Sequence, residues 1–428
     1  MIYPKPLTRR QRRKSQKNIS IFNGLNGVSY MCLGETIIVL FAIKLNAPNA
    51  MVAALGAFIY FSYFMLPIGK LVAARVGAAR SQSVFWTLRN MVAVGVALSA
   101  VTNYCNFHTL ALIQVMVGAC LFYGLRAAGI VMFQPLLGNI ATESERSKVL
   151  GVCNMLFYSG CMLALSLIWL ILSRNESIWV ITGIIVFGAC VGVFSTRYIR
   201  RIDESVVLIE AARRPIMPEI REAWRIVSIR KLVYAMYASY LTMIMLGASS
   251  ILCVKRGYGV SDTAALYFSL IQFLASAVFS WLSAKIVRRY GSKFTIVCGF
   301  VMMMVVPVLW ILAPLQLDYL HTTLLFLIIG GSFVISSNAM VTYCLHTVPE
   351  RLWVAASMLT SVVTCVGAGV SGILITSLIY KYIDRFGAEW NPVNRFKLYF
   401  VIAAALLSIL SIVVWKLPDD SKSSSEKS

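Results

Sequence analysis

The sequence predicts an all-α polytopic membrane protein, with twelve transmembrane helices in two pseudo-symmetric six-helix bundles. Three observations lead there. Apolar residues make up 59% of the 428 residues and charged residues only 13%, against about a quarter charged in a soluble domain. Runs of about 18 or more mainly apolar residues recur, each long enough as a helix to cross a ~30 Å hydrocarbon layer. These runs fall in two groups of six, separated by one polar stretch from Arg197 to Lys231 that carries nine Lys/Arg. The alternating segments of about ten residues that mark a membrane β-barrel are absent.

Taken in order, residues 1–18 hold seven Lys/Arg and little apolar content, and read as a basic cytoplasmic tail. The N-terminal bundle follows over 19–197, with spans near 20–44, 49–68, 84–104, 109–135, 149–172 and 178–197. Residues 198–231 read as a cytoplasmic linker. Within it Pro218 suits the first position of a helix. Ile220, Ala223, Trp224 and Val227 then share one face, which predicts an amphipathic helix on the membrane surface. The C-terminal bundle covers 232–416, with spans near 232–254, 262–283, 294–314, 322–345, 353–380 and 396–416, and a polar tail at 417–428 closes the chain.

Charge placement sets the orientation. With the N-terminus inside, 29 of the 39 Lys/Arg lie in cytoplasmic segments and eight in external ones, while Arg89 and Arg126 remain within spans. This asymmetry is the positive-inside pattern, so both termini are expected in the cytoplasm, with the chain in a plasma or inner membrane. The formal charge of +22 then reflects topology and contact with anionic lipid headgroups. No nucleic-acid partner is expected. The first span is too long for a cleavable signal and contains Asn23, Asn26 and Glu35.

The ten cysteines are scattered without a C-x-x-C and read as small apolar residues. His108, His321 and His346 lie near span ends without metal-ligand spacing, and no Gly-rich loop leads into Lys-Ser/Thr. Neither a metal, a cofactor nor a nucleotide is expected. A polytopic enzyme, such as a lipid or glycan transferase, would need carboxylates or His converging at the membrane surface. None stands out, and no catalytic residue is assigned.

An internal repeat supports the two halves. Glu145-Arg146-x-x-Val149 opens span five, and Glu350-Arg351-x-x-Val354 opens span eleven, the equivalent place in the second half. The loops after spans two and eight form a second pair, Gly69-Lys-Leu-Val-Ala-Ala74-Arg75-Val-Gly77 and Ala284-Lys-Ile-Val-Arg288-Arg289-Tyr-Gly291-Ser-Lys293. These loops resemble the G-x-x-x-D-R-x-G-R-K loop of the major facilitator superfamily. The resemblance covers the whole chain in layout and these loops in motif. It assigns gating-loop roles to Arg75, Gly77, Arg289 and Gly291, and by position to Glu145, Arg146, Glu350 and Arg351. The family's Asp is Ala74 in one copy and Arg288 in the other, so its contact to Arg is not carried over.

The resemblance further implies a secondary transporter working by alternating access, with spans 1, 4, 7 and 10 lining a midplane site. A small-molecule substrate, a proton or other coupling ion, membrane lipids and a monomeric state follow as expectations. Charges inside spans cost about 2.5–3.5 kcal/mol on insertion scales and are functional candidates. Arg126 reads as an anion clamp or as a helix-packing ion pair, with Tyr123 on its polar face. Glu35 reads as a proton-coupling group, its pKa raised by burial, or as a structural partner of Arg126. Asn23, Asn26 and Tyr30 cluster on another face of span one, so either span one bends at its glycines or Glu35 faces a neighbouring helix. Arg89, close to the expected start of span three, reads as snorkelling to the headgroups. Tyr237 on span seven and Asn338 on span ten complete the expected substrate-binding set. A facilitative or efflux transporter of the same fold is the nearest alternative.

Overall fold

Thr8 starts the first helix ten residues before the apolar run does. Its hydroxyl accepts from the Gln11 N–H at 3.4 Å, while the Gln11 side chain accepts from the Thr8 N–H at 2.8 Å. This reciprocal capping box opens α1 (Arg9–Leu33). Residues 9–18, expected as tail, are therefore helical. Hydropathy marks where the chain enters the apolar layer, whereas the cap marks where the helix begins.

The computed structural model describes residues 2–48, 51, 55, 58–260, 262–386 and 390–419. Among them, twelve helices or helix runs are long and apolar enough to cross a membrane. Contacts divide the chain into two units, Met1–Glu219 with Glu350–Met358, and Ile220–Pro349 with Leu359–Ser428.

In the first unit a two-residue strand β1 (Ile2–Tyr3) precedes α1. Gly34 adopts an extended conformation, so α1 breaks and α2 (Glu35–Lys44) resumes after it. The bend expected at a span-one glycine is thus found at Gly34. A run from Phe58 leads into α3 (Leu66–Val76), followed by α4 (Ala78–Tyr104) and α5 (His108–Ile130). Span four is interrupted after α5 and continues as α6 (Phe133–Ile140). Pro135 lacks an N–H and its ring would clash with the carbonyl four residues earlier, at Val131. Then come α7 (Arg146–Leu172) and α8 (Ile178–Ile199). Asn46 and Asn106 take positive φ, turning the chain tightly between expected spans one and two and between spans three and four.

The linker is not the simple surface segment expected. Strand β2 (Glu204–Ser205) pairs in parallel with β1, and α9 (Val206–Arg213) packs on α3. Helix α10 (Ile216–Arg225) begins two residues before Pro218. Its Glu219 is buried in an ion pair with Lys70, Nζ to Oε2 at 2.8 Å. Pro218 is its third residue and so does not open the helix as predicted. Helical Cβ direction alone could not reveal a tertiary partner for Glu219.

The second unit comprises α11 (Val227–Leu252) with a π-helical end, α12 (Asp262–Tyr290), α13 (Ser292–Leu312) and α14 (Tyr319–Thr347). After α15 (Trp353–Ser361), a π-helical stretch at Val362–Gly367 leads into α16 (Ala368–Phe386), and α17 (Pro392–Trp415) ends the bundle. Packing repeats between units. In the first, α1 lies on α7 and α8, and α4 lies on α5 and α8. In the second, α11 lies on α16 and α17, and α13 lies on α14 and α17.

Small residues make the first-unit contact possible. A Cβ on Gly27 would run into the Phe157 carbonyl of α7, and one on Gly160 into the Gly24 carbonyl of α1. Without side chains the backbones approach closely, as membrane helices require when dispersion replaces the hydrophobic effect. Each unit has its own apolar core, around Phe41, Val115 and Ile185 in the first and around Trp310, Phe326 and Phe400 in the second.

Candidate functional site

Within the first unit, α1, α4 and α5 bring aromatic and cationic groups together. Trp86 on α4 donates its indole N–H to Asn26 Oδ1 at 2.9 Å. That bond locks the Trp86 ring, and the Arg89 guanidinium sits over it at 4.8 Å, with the Phe122 ring at 5.2 Å. Arg89 is 1% exposed. Its Nη2 donates to Asn90 Oδ1 at 3.3 Å and lies 3.5 Å from Ser29 Oγ, while Nε has no hydrogen-bond partner. Among the described residues, no carboxylate pairs with it. Asn90 is held by donating to the Trp86 carbonyl at 2.7 Å.

Arg126 on α5 lies over the Tyr30 ring at 5.0 Å, and Tyr30 packs against Phe157 at 5.6 Å. Two guanidinium groups therefore occupy neighbouring positions, one enclosed and one half-buried. Tyr123 is buried and packs edge-on to Phe122 at 5.3 Å. Asn23 is also buried, but its amide donates to the Ile19 carbonyl of its own helix at 2.8 Å. Glu35 is the first residue of α2, where backbone N–H groups lack intrahelical acceptors. Its side chain lies outside the described residues.

In the second unit, Tyr237 bonds Ser371 through their hydroxyls at 2.8 Å, joining α11 to α16. Asn338 donates to Ser283 Oγ at 3.0 Å, joining α14 to α12. Both lie at helix seams of that unit.

The loop residues divide by partner. Arg146 stacks over Trp353 at 4.8 Å and faces Glu350 at 3.7 Å, so the two copies of the Glu-Arg repeat meet. Glu145 Oε2 accepts from Gln16 at 3.3 Å. Burial works against its charge, but bonds from Thr142 and Gln16 outweigh it and hold the carboxyl below its ordinary value. Gly77 and Gly291 both have positive φ, 94° and 84°, at the turns entering α4 and α13. Arg289 stacks on Tyr290 at 5.3 Å. Arg75 is exposed, and Arg351 lies in the short turn Glu350–Leu352.

A sequence profile of the Major Facilitator Superfamily matches residues 19–372. The chain belongs to the major facilitator superfamily. It has that family's transporter fold in the membrane. Among solved structures it is similar to a proton:xylose symporter, with TM-score 0.72, 13% identity and 96% of each chain covered. A bacterial homologue of the iron transporter ferroportin gives 0.70 at 10% identity, covering 94% of this chain and 98% of that one. The human organic anion transporter MFSD10 gives 0.71 at 9% identity, covering 94% and 99%. Such identities show the fold alone. No curated protein sequence matches the chain.

For this superfamily member, two features were hidden from the sequence. Arg89 does not snorkel. Its guanidinium is turned into the protein, where rings from two helices enclose it. The adjacent Trp86 and Asn90, polar-tipped residues on the same span, were the available signal. Glu204 is the second. It lies in the linker, and its Oε2 accepts from the Ala78 and Ala79 N–H groups at the start of α4, at 2.8 and 3.3 Å. Burial pushes its pKa above the ordinary value, although those N–H bonds pull the other way.

Proposed function

We propose that this protein is a secondary transporter, not an enzyme, that moves a small organic solute bearing an anionic group across a plasma or inner membrane. The observation that carries the reading is Arg89, enclosed by Trp86, Phe122, Ser29 and Asn90 and bonded only to neutral groups. A buried charge without a counter-ion costs several kcal/mol, and a solute carboxylate or phosphate offsets that cost when bound. Arg126 and the Tyr30 and Asn26 side chains supply the neighbouring contacts, with Tyr123 shaping the wall. Asn23, Tyr237 and Asn338 support helix packing around the path.

Coupling is assigned to a proton through Glu35, one residue past the break at Gly34, and transport proceeds by alternating access. The symporter and organic anion transporter among its structural relatives support this reading. The gating loops at Arg75, Gly77, Arg289, Gly291, Glu145, Arg146, Glu350 and Arg351 are the expected moving contacts, and the working unit is a monomer with cytoplasmic termini. Uptake of candidate organic anions by proteoliposomes tests the proposal. Arg89→Gln should abolish transport, and Arg126→Lys should lose most of it because Lys lacks the bidentate fork. Glu35→Gln should stop uphill uptake while sparing counterflow; normal pH-driven accumulation by this variant would remove Glu35 from the mechanism, whereas no response of the wild type to a pH gradient would point to facilitative transport.

A further inference from the structure

A cavity of about 620 Å³ lies between the end of α3 and the α9–α10 connection, lined by Lys70, Leu71, Arg75, Arg213, Arg214 and Ile216 among others. Lys70 is neutralised by Glu219 at 2.8 Å. Arg75, Arg213 and Arg214 are exposed, and none pairs with a carboxylate among the described residues. Arg213 is fixed in place because its Nε donates to the Ala74 carbonyl at 3.2 Å. That carbonyl lies in the last turn of α3, where helix carbonyls lack intrahelical donors. Three guanidinium groups therefore face one cavity with no acid paired to them among the described residues.

We propose that this cavity binds the phosphate-bearing headgroup of an anionic membrane lipid. Phosphate chemistry follows from the guanidinium groups, which match phosphate oxygens bidentately. The lipid source follows from the surroundings. Leu71 lines the cavity and is 60% exposed, and Ile68, one turn earlier on the same span-length run, is 46% exposed. Guanidinium groups beside uncovered apolar side chains at the end of a span match the boundary between headgroups and acyl chains. The cavity of the second unit, at Tyr290, Gly291 and Lys293, differs. There Lys293 is balanced by Asp419 at 3.0 Å. A bound phosphate would bridge α3 and the linker, so lipid would fix the linker on the first unit.

The test is native mass spectrometry of the full chain in detergent, titrated with phosphatidylglycerol or with phosphatidylcholine of the same acyl chains. Wild type should retain phosphatidylglycerol in preference. The triple variant Arg75→Gln, Arg213→Gln, Arg214→Gln should lose that retention by about tenfold or more, each basic group contributing to binding at an anionic surface. Lys293→Gln should leave it unchanged. If the triple variant does not fold, Arg214→Gln alone decides by an about threefold loss. Wild-type retention in the folded variants, or no preference over phosphatidylcholine, would overturn the proposal. So would displacement of the lipid by millimolar inorganic phosphate, which would make the cavity a site for a soluble anion.

Discussion

Arg89 shows how function and stability pull apart at one side chain. Its charge is enclosed by rings and neutral acceptors, and Nε is left without a bond. Replacing a buried charge with an apolar residue is often neutral or stabilising by about 1–4 kcal/mol. Arg89→Leu is therefore expected to keep or raise the melting temperature in thermal unfolding while transport is lost. A fall in melting temperature in step with the loss of activity would make Arg89 structural. Glu204 gives a pH prediction. Its pKa is raised in the folded protein by burial, so its contribution is full below the ordinary carboxylate value of about 4.3. That contribution is lost as pH rises through the raised value. Limited proteolysis at the linker should accelerate over that window in wild type, and Glu204→Gln should flatten the profile. Glu204→Ala should cost about 0.5–2 kcal/mol, the range for a lost helix cap. The sequence made Arg126 legible because a charge inside an apolar run is conspicuous. It hid Glu204 and Lys70, whose partners lie more than a hundred residues away and leave no local periodicity.

Element by element, the twelve spans were legible because length and hydropathy set them, while the break in span one was only one of two alternatives, and which glycine carries it was not legible. Helix starts were not legible either. Thr8 and Gly77 begin α1 and α4 before the apolar residues do, since capping is written in polar residues and turn geometry. The stripe expected for the linker helix is split by a helix boundary, since α10 ends at Arg225 and Val227 opens α11, and the depth at which Glu219 is held left no signal in the sequence. Close approach of α1 and α7 is the element-scale property most open to test. Gly160→Val places branched carbons against the α1 backbone, and overpacking of this kind typically costs about 1–3 kcal/mol. Thermal unfolding should shift down accordingly. Gly183→Val should not shift it, because the space around Gly183 is open.

For the whole molecule, the repeated packing scheme matches the paired motifs, yet the two loops are not equivalent. Gly77 has the Glu204 carboxylate against it, whereas Gly291 has open space. The absence of an acid at Ala74 and Arg288 was visible in the sequence, but the Glu204 carboxylate against the Gly77 turn was not. Orientation is tested by thiol labelling in a background cleared of native cysteines. In right-side-out vesicles, Phe107→Cys should react with an impermeant maleimide and Arg214→Cys should not, both positions being exposed. The opposite pattern would reverse the topology.

The pairing of Ile2–Tyr3 with Glu204–Ser205 also sets an order of events during synthesis. The amino-terminal residues cannot find their strand partner until some two hundred further residues have left the ribosome. At about 5–20 residues per second that is roughly 10–40 seconds, during which six spans must enter the bilayer. Residues 2–3 thus settle into their pairing only after the first six spans have been made. An affinity tag placed directly before Ile2 would crowd this late step, whereas one placed after Ser428 would not. Yield of folded protein from the two tagged forms is therefore expected to differ in favour of the second.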